Sequence, residues 1–137
     1  MLLAETPHAV AEAQLNLARI GIEHIAGAHA GAFPPAGTDG AVRSYPVRTF
    51  ADLRLAIQVP GNVALDVRRD DEWERGHLDQ AMHIPLHDLE DRIDSLPAGI
   101  LWVHCGAGYR ASIASSLLAR RGREVVLIDD RFPAAPP

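Results

Sequence analysis

Short apolar runs alternate with amphipathic stretches from Val63 onward, and their order along the chain predicts the fold. Buried parallel strands are nearly continuous in apolar character, and four runs fit this description: Val63–Val67, Ala81–Ile84, Ile100–His104 and Glu124–Ile128. Helix candidates lie before and between these runs: Phe50–Ile57 with Thr49 as its cap, Asp70–Arg75, Leu86–Ser95 and Arg110–Arg121. Strands that alternate with helices predict an α/β fold with a central parallel sheet and helices on both of its faces.

The N-terminal segment resembles part of the C-terminal third of the chain. Leu3–Ile25 aligns without gaps onto His104–Val126 and repeats the order strand, helix, glycine and strand. Ala4 falls where Cys105 stands, so the first copy lacks the only cysteine. The sequence predicts four regions: the remnant of a degenerate repeat at 1–27, an Ala/Gly/Pro-rich linker at 28–44, the main domain at 45–130 and a flexible tail at 131–137.

Length and charge narrow the classes of function. The 137 residues allow one domain and an appendage. Thirteen Lys and Arg against eighteen Asp and Glu give a net charge of −5, which disfavours a nucleic-acid partner. No apolar run approaches the roughly 20 residues of a membrane span, and the first ten residues have no basic region before their apolar stretch. We therefore expect no membrane partner and a cytoplasmic location.

The single cysteine, Cys105, is placed where a thiol can be reactive. It excludes an internal disulfide framework and a Cys-rich zinc cluster, and it suits a reducing compartment. Cys105 comes directly after an apolar strand and before a helix, whose free N–H groups favour the thiolate. Gly106 and Gly108 let the backbone curl so that successive N–H groups point inward. The pattern thus predicts a thiolate surrounded by hydrogen-bond donors.

Arg110 closes this loop with a guanidinium that can hold loop carbonyls or a substrate oxyanion. Tyr109 is expected at the rim of the loop, where its ring can line the mouth of a pocket. Four residues separate Cys105 from Arg110, one fewer than in the loop of cysteine phosphatases. The tighter ring fits one extra sulfur atom better than a phosphoryl group, so a phosphatase is the disfavoured alternative. We predict two catalytic residues, Cys105 and Arg110, and four binding residues, Gly106, Ala107, Gly108 and Tyr109.

From Tyr45 to Asp130 the sequence resembles the rhodanese-type sulfurtransferases. The resemblance is carried by Leu65–Arg68 (LDVR), by Glu72–Leu78 (EWERGHL) with the following AMHIP segment, and by the Cys105–Arg110 loop. It implies an enzyme of the thiosulfate sulfurtransferase type. In such an enzyme Cys105 takes a sulfane sulfur from thiosulfate or a persulfide donor, becomes a persulfide and passes the sulfur to a thiol or cyanide. A persulfide carrier or interaction module with little activity on free thiosulfate stays open as the alternative.

The resemblance extends to the C-terminal rhodanese domain of bacterial proteins that fuse a metallo-β-lactamase-like hydrolase to two rhodanese-like units. It rests on Arg43–Leu53 and on Trp102–Cys105. Since the first unit of such fusions is often degenerate, it implies that residues 1–27 are the remnant of a rhodanese-like repeat. The chain lacks the hydrolase metal motif, and no cofactor or metal is predicted. The implied partners are small sulfur-containing substrates, with a protein thiol as a further acceptor.

Several other polar residues receive structural interpretations. Asp66 and Arg68, at a strand end, are expected to support the loop or its neighbouring helix, with an Arg68–Glu72 surface salt bridge as the alternative. His77 is expected to make a hydrogen bond within its own turn. His83 and His87 have the spacing of a helical metal pair, but the intervening Pro85 breaks a helix, which argues against zinc. Strand alternation predicts that His104 faces away from the thiol.

Overall fold

The computed structural model describes residues 2–32 and 44–133. The chain divides into two compact units, Met1–Ser44 and Tyr45–Pro137.

The first unit is a strand–helix–strand motif. Strand β1 (Leu2–Ala4) pairs in parallel with β2 (Ala28–Ala30), and helix α1 (Pro7–Arg19) connects them. The side chain of Thr6 accepts the N–H of Ala9 at 3.2 Å and so caps the start of α1. No residue of α1 is buried, and the apolar Leu15 is exposed. This unit therefore has little apolar core of its own.

The repeat predicted for this unit is matched in order but not in spacing. Gly21 and Gly122, which the alignment pairs, both have a positive φ, of 84° and 78°. The alignment places the second strand near Glu23–Ile25, whereas β2 lies inside the segment predicted as linker. The reason is a longer connection, because residues 22–27 belong to no strand. The rest of that linker, 33–43, lies outside the described residues, and the origin of the unit as a degenerate rhodanese-like repeat stays a prediction.

The second unit contains one parallel sheet of five strands. Its strands are β3 (Val47–Arg48), β4 (Asn62–Asp66), β5 (Met82–His83), β6 (Ile100–His104) and β7 (Glu124–Ile128). Their order across the sheet is β3-β7-β6-β4-β5. The bounds of β6 and β7 are those predicted, whereas β4 begins and ends one residue earlier and β5 is shorter than its apolar run. Strand β3 was not predicted.

Four helices accompany this sheet: α2 (Phe50–Ala56), α3 (Asp70–Glu74), α4 (Leu89–Arg92) and α5 (Tyr109–Arg120). Thr49 caps α2 as predicted, and its own N–H donates to the carboxylate of Asp52 at 2.9 Å. The single helix predicted at Leu86–Ser95 is wrong, since one 3-10 turn precedes α4 and another follows it. None of these three short elements has a side-chain cap, and they are instead held by the buried Leu89 and Ile93.

Both faces of the sheet are covered, as the alternating pattern predicts. Strand residues Leu65, Leu101 and Val103 are buried on one face together with residues of α4 and α5. On the other face Ala64 and Ile128 pack with Phe50 of α2. The prediction of an α/β sheet with helices on both sides is therefore confirmed. None of the helices in the described part of the chain is long and apolar enough to cross a membrane.

Residues 131–133, the described part of the predicted flexible tail, include a residue that packs against the rest of the second unit. The N–H of Phe132 donates to the carbonyl of Gly106 at 3.0 Å. The Phe132 ring packs edge-on against Phe50, with 5.6 Å between the ring centroids. An aromatic side chain and a backbone hydrogen bond thus tie Phe132 to the rest of the second unit, and the flexibility of 131–133 stays a prediction. The remaining predicted tail, 134–137, lies outside the described residues.

Candidate active site

The loop with the cysteine lies at the carboxyl edge of the sheet. Cys105 directly follows β6, and α5 begins at Tyr109. Strand β6 is flanked by β4 and β7, and Asp66, the last residue of β4, pairs in register with His104. The turns after these three strands therefore meet around Cys105, at the edge where parallel α/β sheets bind their ligands.

The thiol of Cys105 is buried at the start of a long helix. The residue is 2% exposed, and its Sγ accepts the N–H of Ala111 at 3.4 Å. Ala111 lies in the first turn of α5, where backbone N–H groups have no partner within the helix. The N-terminal end of the helix, with its unpaired N–H groups, thus faces the sulfur. Ala111, a donor to the sulfur, lies one residue beyond the predicted set from Gly106 to Arg110.

Gly108 makes the tight return of the loop possible. Its φ of 85° is in the left-handed region, which L side chains rarely adopt. A Cβ atom added there would collide with the carboxylate of Asp129, which lies against the glycine. Both the backbone conformation and the space therefore require glycine at this position.

Gly108→Ala is expected to destabilise the protein more than Gly122→Ala. The left-handed conformation alone costs an alanine roughly 1–2 kcal/mol, and Gly122 has the same conformation with nothing within 4 Å of an added Cβ. Gly108→Ala carries the additional collision, so it should also change the rate at which Cys105 is alkylated. Urea unfolding and alkylation of both variants make the test. Equal losses of stability with unchanged alkylation would contradict a special role of Gly108.

Arg110 is paired with a carboxylate rather than with the loop. Its Nη1 and Nη2 donate to Oε2 and Oε1 of Glu72 at 2.5 and 2.8 Å. The hydrogen bond from Arg110 lowers the pKa of Glu72 to about 2, and the same contact raises the pKa of Arg110. Both groups are therefore charged at neutral pH. In this structure Glu72 occupies the guanidinium, and the predicted role of Arg110, holding loop carbonyls or a substrate oxyanion, stays a prediction.

Sequence reasoning missed Glu72 as a member of the site, although the topology contains the signal. Glu72 lies in α3, which follows β4, and Arg110 lies in the first turn of α5, which follows β6. Because β4 and β6 are neighbours, the helices that follow them begin side by side. The Arg110–Glu72 pair also lies next to Gly106. A Cβ atom added at Gly106 would be 3.4 Å from Nη2 of Arg110 and 3.6 Å from Oε1 of Glu72.

Asp66 and Arg68 form a buried ion pair next to the loop. Arg68 donates from Nε to both carboxylate oxygens of Asp66, at 3.0 and 2.9 Å, and from Nη2 at 2.7 Å. The alternative of an Arg68–Glu72 surface bridge is wrong, because Asp66 is closer along the chain and buried with Arg68. The Arg68 guanidinium lies 3.6 Å from the centroid of Phe132, whose N–H bonds to Gly106. The pair is thereby linked to the loop, and its predicted supporting role stays a prediction.

His104 is an uncharged part of the core. It packs against Phe50 and Phe132, with ring centroids 5.2 and 5.7 Å away, on the face opposite the cluster that contains Cys105. Neither of its ring nitrogens has a hydrogen-bond partner among the described residues. Burial lowers the pKa of His104 to about 4, even though Asp66 lies 3.9 Å from Nδ1. His104 is thus neutral at neutral pH and adds no positive charge behind the thiol.

Two further histidines, His77 and His83, contact Trp73. Nδ1 of His77 lies 3.0 Å from the carbonyl oxygen of Trp73, which confirms the predicted hydrogen bond within the turn. The rings of His77 and His83 both stack on Trp73, with ring centroids 3.7 and 4.5 Å from that of Trp73. Within 2–32 and 44–133, no three His, Cys, Asp or Glu side chains converge as a metal site.

Two predicted binding residues lie at the rim of the cysteine loop. Ala107 is exposed, and Tyr109 is 77% exposed.

Comparison with known proteins agrees with this geometry. The model of the family described as rhodanese-like domain matches residues 49–134. A probable molybdopterin-synthase adenylyltransferase of Porphyra purpurea is 29% identical over 92 residues, which is 62% of this chain and 24% of that protein. A putative sulfur carrier protein of Bacillus subtilis, YrkF, is 31% identical over 64 residues, which is 46% of this chain and 35% of that protein. The chain thus spans about a quarter of the length of the first relative and about a third of the second.

A solved structure matches the fold over the same region. The rhodanese-related protein of Thermoplasma volcanium superposes with a TM-score of 0.59 at 26% identity. The match covers 64% of this chain and 86% of that one. Together with the family model, which matches more than half of the chain, this establishes the relationship. The chain belongs to the family of rhodanese-like domains, within the sulfurtransferase superfamily.

Proposed function

We propose that this protein transfers a sulfane sulfur through a persulfide on Cys105. The observation that carries the proposal is the position of Sγ at the start of α5, where it accepts the N–H of Ala111 at 3.4 Å. A thiolate is the nucleophilic form of cysteine, and a helix N-terminus stabilises it. The name of the Bacillus relative, a putative sulfur carrier protein, supports the same chemistry. A thiol that must stay reduced suits the cytoplasm.

The transfer divides into two substitutions at sulfur. The Cys105 thiolate attacks the sulfane sulfur of thiosulfate or a persulfide. A new S–S bond forms, the donor S–S bond breaks, and sulfite or a thiolate leaves with the electron pair. An acceptor thiolate or cyanide then attacks the outer sulfur, and Cys105 leaves again as the thiolate. No oxidant or reductant is consumed, and ping-pong kinetics follow.

The loop suits a small, partly anionic group. We assign to the backbone N–H groups of the loop from Gly106 to Ala111 the stabilisation of the outer sulfur of the persulfide. Because Cys105 is almost completely buried, a donor must bring its sulfur into the loop. Tyr109, exposed at the rim, is where we expect a thiol acceptor or a protein partner to make contact.

Incubation of the protein with thiosulfate or with an alkyl persulfide is expected to add the mass of one sulfur atom. Cyanide should then remove that mass and form thiocyanate. Intact-protein mass spectrometry before and after each step checks both halves of the reaction. A mass that stays unchanged after treatment with thiosulfate and after treatment with the alkyl persulfide would overturn the proposal.

A persulfide carrier is the second candidate function, and the pairing of Arg110 with Glu72 favours it. This pairing leaves the loop without a cation for a doubly charged small donor. A carrier is expected to load quickly from a persulfide and to turn over thiosulfate slowly. Comparing the loading rate with the steady-state thiosulfate rate separates the carrier from a thiosulfate sulfurtransferase.

A further inference from the structure

The loop around Cys105 offers no free positive charge. Within Cys105–Arg110 the only cationic residue is Arg110, and both of its Nη atoms are bound by Glu72. In this bidentate geometry the carboxylate already occupies the two N–H groups with which a guanidinium binds an anion best. An incoming anion must therefore displace Glu72 or bind without Arg110.

Negative charge exceeds positive charge at the loop. The carboxylate of Asp129 lies against Gly108 on one side, and that of Glu72 lies near Gly106 on the other. Two carboxylates thus flank a loop with one guanidinium, and the thiolate of the proposed mechanism adds a further negative charge. Like charges so close to a bound anion disfavour its binding.

A cavity of about 360 Å³ beside the loop does not supply the missing cation. Three guanidiniums border it, and each already has a carboxylate partner. Arg68 is held by the buried Asp66. Arg69 and Arg75 both bind Asp71, at 2.8 and 2.5 Å. His104 behind the loop is neutral at neutral pH, since burial lowers its pKa to about 4.

We propose that Glu72 sets the donor preference of the loop by occupying Arg110, so that singly charged sulfane-sulfur donors are used in preference to the thiosulfate dianion. This inference rests on the proposed persulfide function. Thiosulfonates and alkyl persulfides are such donors. With a thiosulfonate, the Cys105 thiolate takes the sulfane sulfur, the S–S bond breaks, and a sulfinate leaves with the electron pair. Glu72 is thus a positioning residue that acts through Arg110.

The test compares thiosulfate with methanethiosulfonate, which presents the same sulfane sulfur with one negative charge fewer. In Glu72→Gln, the KM for thiosulfate is expected to fall on the order of fivefold, as the loss of one partly exposed charge implies. The KM for methanethiosulfonate should change much less, and kcat should stay similar. Steady-state rates with cyanide as the acceptor give KM and kcat for each of the two donors.

Glu74→Gln is the matched control, because it removes one negative charge from an exposed residue of the same helix without releasing Arg110 or the guanidiniums at the cavity. It is expected to leave the ratio of the two KM values unchanged. Adding Arg110→Gln to Glu72→Gln should cancel the gain for thiosulfate. An equal response of both donors to Glu72→Gln, or the same response in Glu74→Gln, would overturn the role of Glu72.

Salt dependence of the wild-type protein provides a test that needs no variant. Salt screens the repulsion between the dianion and the two carboxylates, so kcat/KM for thiosulfate should rise with ionic strength more than that for methanethiosulfonate. A fall for thiosulfate would show an attractive cation and contradict the inference. If neither donor forms a persulfide, the proposed function itself fails. If both load the protein without a charge preference, only the inference fails.

Discussion

Cys105→Ser is expected to take up no sulfur and to reduce sulfur transfer to the rate of a buffer blank. A serine hydroxyl does not ionise near neutral pH, so the nucleophile of the proposed first step is absent. The fold should persist, because the serine oxygen is smaller than sulfur and can also accept the N–H of Ala111. Intact mass after treatment with thiosulfate and a coupled thiocyanate assay measure both effects.

Ser115→Ala is the control for this variant. Ser115 is also buried in α5, and its hydroxyl has no hydrogen-bond partner among the described residues. Its removal should leave sulfur uptake intact, while thermal unfolding shows that both variants are folded. Sulfur uptake by a folded Cys105→Ser protein would place the sulfur on another group and refute the assignment of Cys105.

The central strands could be predicted from the sequence because their side chains are buried on both faces. Strand β6 reads Ile100–His104 and β7 reads Glu124–Ile128, and almost every position is apolar. Strand β3 gave no such signal. Its two residues, Val47 and Arg48, are exposed, and it exists through pairing with β7 at the edge of the sheet. A short edge strand depends on its neighbour rather than on its own pattern.

The position of the thiol in the loop could be predicted from neighbouring residues in the sequence. The carboxylate partner of Arg110 could not. The order strand, Cys105, Gly106, Gly108 and helix contains the whole geometry of the thiol within a few residues. The pairing of Arg110 with Glu72 joins residues 38 positions apart, and it depends on which strands are neighbours.

Burial decides the partner of Arg68. Glu72 was the alternative partner on the surface, but the strand-end carboxylate of Asp66, two residues before Arg68, binds the guanidinium and is shielded from water. The role of Phe132 also depends on tertiary contacts, since only the folded sheet brings its ring to Arg68. The composition of the proline-rich terminus therefore gave no sign of this contact.

Asp66→Asn is expected to lower the free energy of unfolding by about 3–5 kcal/mol, the usual cost of removing one partner of a buried ion pair. Arg68 would keep its charge in a site where its side chain is 6% exposed, with the Gly76 carbonyl as its remaining strong acceptor. The backbone N–H of Arg68 would also lose a charged acceptor, since it donates to Asp66 at 2.9 Å. Urea unfolding at neutral pH measures the loss.

Asp71→Asn, an equal change in charge at an exposed pair with Arg69, is expected to leave the unfolding midpoint nearly unchanged. The double variant Asp66→Asn with Arg68→Met should recover part of the stability, because the cost comes from an unpaired buried charge rather than from the loss of an attraction. If Asp66→Asn costs no more than Asp71→Asn, the pair does not support the loop. The double variant is also compared with the single variants Asp66→Asn and Arg68→Met. If its loss of unfolding free energy equals the sum of their two losses, the cost lies in packing, and the electrostatic account of the Asp66–Arg68 pair is wrong.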